Sequence, residues 1–179
     1  KGETILEFGL RRAQGIDGSL SASRASFIGG SSKTSNVLAG KLFNIPVSGT
    51  HSHSWVLAFD SEIESFRKYA EAMPNNCVLL VDTFNTLKGI DNAIIIGKEL
   101  EKINKKLIGI RIDSGDLAYL SKKARIKLDK NGLDYVKIIA SNDLDEFLIE
   151  SLKSQKSKIS VWGIGTKLVT AYDNPSLGA

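Results

Sequence analysis

The feature that most constrains the fold is a pattern that recurs along the chain. A short apolar run ends in a cluster of small and polar residues, and an amphipathic helical stretch follows. This alternation predicts parallel strands joined by helical crossovers, because consecutive parallel strands need a long connection. The mostly continuous apolar runs indicate a sheet that is buried on both faces. Six strands are predicted, at residues 4–8, 45–49, 77–82, 107–112, 136–140 and 159–164.

The helical stretches carry signals for their N-termini. Residues 61–73 begin with Ser61, and the last three stretches each open with an Asp, which suits a helix N-terminus. Six strands fit either an open α/β sheet or most of a (β/α) barrel, and a single domain over residues 1–179 is expected. The predicted helical stretches are 20–30, 34–43, 61–73, 91–104, 116–132 and 143–155.

Composition excludes several classes of protein. Of the 179 residues, 42% are hydrophobic and 25% charged, and the net charge of +4 suits an anionic ligand. Nucleic-acid binding is not predicted, because the Lys-rich stretches 102–106 and 153–158 lack interleaved aromatic residues. The single cysteine, Cys77, excludes an internal disulfide and a cysteine zinc cluster.

Targeting signals are also missing from the sequence. No apolar run approaches about 18 residues, so neither a membrane span nor a signal peptide is predicted, and a cytoplasmic protein is expected. The chain starts at Lys1 rather than Met, and both of its ends resemble cuts in a longer protein.

The unusual polar residues follow the predicted strands. Each cluster has a plain structural interpretation, since Asp and Ser cap helices and Gly favours turns. Together they predict a functional site, because the carboxyl ends of parallel strands form the active-site edge of α/β sheets and barrels. In strand order the clusters are "EFGLRR", "SGTHSHSW", "VDTFNT", "RIDSGD", "ASNDLD" and "GIGT".

The second cluster holds both histidines of the chain, His51 and His53. On extended chain these side chains point in opposite directions, so one faces the site and the other does not. A neutral imidazole is a competent nucleophile or base near pH 7. No third ligand has a spacing that supports a zinc site, so no metal-ligating residue is predicted. Asp82 ends the next strand and is expected to hold an imidazole, although capping of the following helix is an alternative.

The later clusters suit anionic and sugar ligands. Arg111 and Asp113 share one strand face, and an arginine can hold a phosphate while the aspartate binds sugar hydroxyls or a hydrated magnesium ion. Asp116 is better placed as a helix cap. The backbone N–H groups of "ASNDLD" and "GIGT" are candidates for a phosphate cradle.

Long segments of the chain resemble the nicotinate phosphoribosyltransferase family, in the right order and over essentially the whole chain. They are "EFGLRRAQGIDGSLSASRASFIGG", "TSNVLAGKLFNIPVSGTHSHSWV", "RIDSGDLAYLSKKAR", "ASNDLDE" and "WGIGTKLVT". The resemblance implies an incomplete (β/α) barrel of mostly parallel strands, the type II phosphoribosyltransferase fold, as a fragment of a longer enzyme. It implies that nicotinate and 5-phosphoribosyl-1-pyrophosphate give nicotinate mononucleotide and pyrophosphate, as a step of NAD salvage.

The resemblance also implies cofactors and partners. Magnesium takes part, and ATP hydrolysis is coupled through a phosphohistidine. The full-length enzyme is expected to be a homodimer in which the missing N-terminal domain completes the site of a neighbouring subunit. The isolated fragment is therefore expected to be inactive.

Individual roles follow from the matching positions. His53 matches the phosphorylated histidine, and Asp82 the carboxylate paired with it, whereas His51 receives no role. The substrate-binding positions are Phe8, stacked on the pyridine ring; Arg11, on a phosphate; Ser35, at the base; Arg111, near nicotinate and pyrophosphate; Asp113, on the ribose; and Ser141, Asn142, Gly165 and Thr166, around the 5-phosphate.

Two departures and two alternatives remain open. "SSK" at residues 31–33 replaces an apolar, acidic and glycine turn, and Phe84 and Asn85 replace a hydroxyl and a carboxylate. The alternatives are a related phosphoribosyltransferase that uses nicotinamide or quinolinate, and a nonenzymatic fragment that binds a phosphosugar.

Overall fold

The computed structural model describes residues 2–173, so Lys1 and residues 174–179 of the expected domain lie outside it. Strands and helices alternate as the sequence pattern predicts. The strands are β1 (Thr4–Glu7), β2 (Lys33–Thr34), β3 (Val78–Leu80), β4 (Gly109–Ile112), β5 (Lys137–Ala140) and β6 (Val161–Ile164). The helices are α1 (Gly15–Ile28), α2 (Val37–Phe43), α3 (His53–Leu57), α4 (Glu62–Ala72), α5 (Thr86–Lys102), α6 (Leu117–Lys130), α7 (Glu146–Ser154) and α8 (Thr166–Val169), with a 3-10 turn at Leu10–Arg12.

The chain divides into two compact units. Unit 1 comprises residues 1–49, 141–151 and 161–179, and unit 2 comprises residues 50–140 and 152–160. In unit 1, β1 lies between β2 and β6 and pairs with both in parallel. In unit 2, β4 lies between β3 and β5, again with parallel pairing. The expectation of a single domain stays a prediction of the sequence.

Five of the six predicted strands are confirmed, each shorter than predicted by one to three residues in total. The prediction of a strand at residues 45–49 is wrong. Within that segment only Val47 forms a bridge, to Thr34, and Pro46 has no N–H to donate to a ladder. The partner of β1 on that side is the two-residue strand β2, whose register places Leu6 opposite Lys33.

Two predicted helix caps are confirmed, and two starts are corrected. The side chains of Ser61 and Asp116 accept hydrogen bonds from backbone N–H groups of α4 and α6. Helix α5 begins five residues before Asp91, because Asn85 caps it by accepting from the Lys88 N–H at 3.0 Å. Asp145, rather than Asp143, accepts from the Leu148 N–H in the first turn of α7.

The buried core of unit 2 fixes the backbone that leads to the polar residues of the candidate site. Residues 77–81 are buried, and α5 approaches Val81, the residue that follows β3, closely at Gly89. A Cβ on Gly89 would lie 2.0 Å from the Val81 carbonyl oxygen, so only glycine permits this approach. The close contact fixes the backbone directly before Asp82, where the candidate site begins.

Candidate functional site

His53 is the first residue of α3, and both of its ring nitrogens face polar groups of unit 2. Nδ1 lies 3.1 Å from the Thr83 hydroxyl oxygen, and Nε2 lies 3.6 Å from Oδ2 of Asp113. The Nε2–Oδ2 separation is an ion-pair distance and too long for a hydrogen bond, and the tautomer of the ring decides whether Nδ1 or the Thr83 hydroxyl donates. The His53 side chain is 41% exposed, which leaves its ring accessible to a ligand.

Arg111 and Asp113 form the polar centre next to this histidine. Guanidinium Nη2 donates to Oδ1 of Asp113 at 2.9 Å, and Nη1 donates to the Thr50 hydroxyl at 2.9 Å. The two side chains project from the same face at the end of β4, as their spacing predicts. The cluster thus brings an imidazole, a guanidinium and a carboxylate together, which suits a phosphorylated ligand with hydroxyl groups.

Asp82 holds the backbone at Asp113 and the side chain that follows it. Its Oδ2 accepts from the Asp113 N–H at 2.8 Å and from the Ser114 hydroxyl at 2.5 Å. The structure therefore pairs the His53 ring with Asp113, not with Asp82 as predicted, because two groups that follow β4 already occupy Oδ2. Oδ1 is buried and has no hydrogen-bond partner within the described residues. The catalytic assignment of Asp82 stays a prediction.

His51 points away from this cluster, so the predicted opposite orientation of the two histidines is confirmed. It is 7% exposed, and its ring lies against the rings of Phe66 and Tyr69. Burial lowers the pKa of His51 from 6.5 to about 4, with smaller contributions from neighbouring charges that include Arg111. His51 is thus a neutral imidazole at physiological pH.

Sequence reasoning missed three hydroxyl groups of the cluster, those of Thr50, Thr83 and Ser114. Each directly precedes or follows a residue that was identified, in "GTH", "VDT" and "IDS". That adjacency was the available signal. Hydroxyls in loops are so common that adjacency alone does not separate ligands from turn formers.

A second group of predicted residues lies in unit 1, around the end of β1. The Phe8 ring covers Gly163, where an added Cβ would lie 2.7 Å from the ring, and the Phe8 N–H donates to the Ile164 carbonyl. Arg11 is exposed in the 3-10 turn that follows. The Ser35 N–H donates to the Glu7 carbonyl at 2.9 Å, which places the residue beside the end of β1.

A buried carboxylate that sequence reasoning missed joins these segments. Glu7 is 1% exposed and accepts hydrogen bonds from the Gly9 N–H and from the Ser23 and Thr34 hydroxyls. Phe8 follows Glu7 directly in the chain. Ser35 follows Thr34, whose hydroxyl donates to Glu7. Glu7 therefore fixes both segments that the family resemblance assigns to the pyridine ring.

The predicted phosphate cradle also lies in unit 1. Ser141 is buried, and Asn142 and Asp143 both have positive φ, at 93° and 45°, which forms a tight turn before α7. Gly165 directly precedes α8, whose first residue is Thr166. Lys167 donates to Oδ2 of Asp145 at 2.6 Å and so links the two predicted phosphate loops.

Neither a metal cage nor a membrane span is found in the described part of the chain. No group of three or more His, Cys, Asp or Glu side chains there could hold a metal ion. Among residues 2–173, no helix is long and apolar enough to cross a bilayer.

Comparison with known proteins decides the family. The model of the nicotinate phosphoribosyltransferase (NAPRTase) family matches residues 4–178. The chain belongs to this family. Nicotinate phosphoribosyltransferase of Bacillus subtilis is 58% identical over 179 residues, which cover 99% of this chain and 36% of that enzyme. The chain thus spans little more than a third of this NAPRTase relative.

Solved structures agree with this family assignment. Human nicotinic acid phosphoribosyltransferase superposes with a TM-score of 0.79 at 29% identity, over 92% of this chain and 44% of the human chain. Nicotinate-nucleotide pyrophosphorylase from Pyrococcus furiosus gives a TM-score of 0.75 at 25% identity, over 93% of this chain and 42% of that chain. The fold class predicted for a NAPRTase is therefore confirmed.

Proposed function

We propose that this chain is the central part of a nicotinate phosphoribosyltransferase. The enzyme converts nicotinate and 5-phosphoribosyl-1-pyrophosphate into nicotinate mononucleotide and pyrophosphate, a step of NAD salvage. The observation that carries the proposal is the cluster of His53, Arg111 and Asp113, held by Asp82 and Thr83 at the strand ends of unit 2. Family membership and the names of the relatives support it.

Charge development explains why these residues suit the reaction. Loss of pyrophosphate builds positive charge on the ribose and negative charge on the leaving group. The Arg111 guanidinium stabilises the leaving group, and the Asp113 carboxylate binds ribose hydroxyls and faces the positive ring. In the same proposal Phe8 stacks on the pyridine ring, Arg11 binds a phosphate and Ser35 contacts the base. Ser141, Asn142, Gly165 and Thr166 hold the 5-phosphate.

The proposal assigns the phosphoryl acceptor to His53. A ring nitrogen attacks the terminal phosphorus of ATP, ADP leaves, and later hydrolysis of the phosphohistidine releases inorganic phosphate. The attack requires an unprotonated ring nitrogen, and the 41% exposed side chain of His53 presents its ring beside Thr83 and Asp113. The added charge lies beside the pyrophosphate subsite, so ATP consumption changes substrate binding there.

Magnesium fits this cluster as a companion of the substrate. Mg²⁺ binds through one or two carboxylates together with substrate phosphates. Oδ1 of Asp82 is buried without a hydrogen-bond partner among residues 2–173, and together with the neighbouring Asp113 it would offer such oxygens. When bound, the ion neutralises pyrophosphate charge. We further propose a cytoplasmic homodimer for the full-length enzyme.

A second candidate is a related phosphoribosyltransferase that uses nicotinamide or quinolinate. It is supported by the likeness to a structure that is named a nicotinate-nucleotide pyrophosphorylase. A screen of the full-length enzyme with the three pyridines, each with 5-phosphoribosyl-1-pyrophosphate, separates the candidates by which mononucleotide forms.

The decisive experiment measures the affinity of the full-length enzyme for 5-phosphoribosyl-1-pyrophosphate with and without ATP. In the wild type we expect ATP to change the affinity by about tenfold, within the usual range for coupled sites. His53→Ala should abolish the change. Lys68→Ala, which removes an exposed ion pair with Glu71, is the control and should retain it. An ATP effect that persists in His53→Ala contradicts the role of His53.

A further inference from the structure

His51 lies in the same segment as His53 but outside the cluster, and the proposed function assigns it no role. Its Nε2 accepts a hydrogen bond from the Leu80 N–H at 3.1 Å, and its Nδ1 lies 3.3 Å from the Ser52 carbonyl oxygen. A backbone N–H can only donate and a carbonyl can only accept. The ring proton of His51 is therefore on Nδ1, and the neutral form satisfies both neighbours.

The bond to Leu80 replaces a strand contact. In unit 2, β3 pairs with β4 on one side, and the Val81 N–H donates to the Arg111 carbonyl of β4. Adjacent N–H groups along a strand point in opposite directions, so the Leu80 N–H faces away from β4. The His51 ring covers this edge and supplies the acceptor that a neighbouring strand would supply.

The segment on either side of His51 carries the contacts of the candidate site. The Thr50 hydroxyl accepts from Arg111, and His53 contacts Thr83 and Asp113. His51, in the middle, is the member of this segment whose ring is buried, between Phe66 and Tyr69 of α4. A shift of the segment would break the contacts on both sides at once.

We propose that His51 is a positioning residue, a neutral hydrogen-bond acceptor that tethers residues 50–53 to the edge of β3 and thereby aims His53 for phosphorylation. The proposal rests on the proposed function for the phosphoryl step. The tether itself is a statement about this chain and is tested separately. It explains why two histidines lie one residue apart, one chemical and the other structural.

The test uses two variants of the full-length enzyme. His51→Leu keeps an apolar side chain but removes the acceptor, whereas His51→Gln keeps a polar atom at the reach of Nε2. We measure the rate of phosphate transfer from γ-³²P-labelled ATP to His53, and hydrogen exchange of the Leu80 amide. We expect the Leu variant to transfer phosphate about 100-fold more slowly, as for a reacting group misplaced by about 1 Å. The Gln variant should restore most of the rate.

The Leu80 amide gives an independent reading of the tether. Its protection from exchange should be lost in His51→Leu and kept in His51→Gln. Phe66→Leu is the matched control, because it loosens the packing of the same ring without removing the acceptor. Well below its unfolding temperature this control should transfer phosphate at close to the wild-type rate.

Each remaining outcome has a consequence. Wild-type phosphorylation in His51→Leu overturns the proposal, as does a Gln variant as slow as the Leu variant. A Phe66→Leu enzyme as slow as His51→Leu also overturns it, because loosened packing alone would then explain the loss. If the wild type accepts no phosphate, the phosphoryl step that the proposed function assigns to His53 fails. The exchange of the Leu80 amide then decides the tether, and unchanged protection in His51→Leu overturns it.

Discussion

At the scale of single residues, different surroundings give the two neighbouring histidines different chemical properties. His51 is buried against aromatic rings and stays neutral, whereas His53 is 41% exposed and faces Asp113 and Thr83. Glu7 shows a third case, a buried carboxylate whose acceptors are satisfied by one N–H and two hydroxyls. Chemical identity therefore predicts capability, and burial decides which capability is used.

The low pKa of His51 predicts a pH dependence of stability. Between pH 6.5 and about 4, His51 is protonated in the unfolded chain but stays neutral in the folded chain. The neutral His51 therefore makes its full contribution to the free energy of unfolding above pH 6.5, and this contribution declines as the pH falls towards about 4. Between pH 7.5 and 5 the wild type should lose about 2 kcal/mol relative to His51→Gln. Urea unfolding of both proteins at these pH values measures it, and parallel pH profiles would contradict it.

At the scale of elements, pairs of loops are joined by side chains that touch no substrate in the proposed site. Asp145 caps α7 and binds Lys167 of α8, which connects the loop after β5 to the loop after β6. Their hydrogen bond lowers the pKa of Asp145 and raises the pKa of Lys167. This ion pair is partly exposed, so its contribution is modest.

We expect the Asp145–Lys167 pair to act on phosphate binding in the full-length enzyme. Asp145→Asn retains a capping side chain, and Lys167→Met removes the ammonium. Each should raise the KM for 5-phosphoribosyl-1-pyrophosphate about fivefold, a modest effect typical of an exposed ion pair, with kcat changed less. The double variant should be no worse than either single variant, because both act through one interaction.

Lys68→Met is the matched control for this pair, since it removes another exposed ion pair, on α4. It should leave steady-state kinetics unchanged. If the Asp145 and Lys167 effects simply add, or if the KM for nicotinate rises equally, the two residues do not act together on the phosphate loops.

At the scale of the whole molecule, the chain is organised as two compact units, each with its own three parallel strands. The predicted residues for the base and 5-phosphate lie in unit 1, and those for the pyrophosphate and the phosphohistidine lie in unit 2. Their convergence on one substrate stays a prediction.

The 179-residue chain by itself should form no nicotinate mononucleotide. It covers 36% of the Bacillus subtilis enzyme, and the family resemblance implies that an N-terminal domain outside these residues completes the site. Chromatographic detection of the product, with the isolated chain and the full-length enzyme side by side, measures this. Robust product formation by the isolated chain would show that residues 1–179 suffice.

The sequence predicted the secondary-structure elements better than the contacts between distant side chains. Periodic patterns located five strands and the Ser61 and Asp116 caps, because these depend on residues close together in the chain. It missed β2, which is two residues long, and placed a strand at 45–49, where Pro46 limits pairing. It also missed the buried Glu7, because a lone acidic residue in a strand carries no signal of the donors that surround it.

The sequence by itself determined the order of the elements, the strand ends at which polar residues cluster, and the family. These follow from local periodicity and from motifs whose residue types and order are readable along the chain. Only the tertiary structure decided that Asp113 rather than Asp82 faces His53, and that His51 caps the edge of β3. Such choices depend on distances between residues about 30 or more apart in the chain, and hydrogen-bond direction and burial then fix the partner.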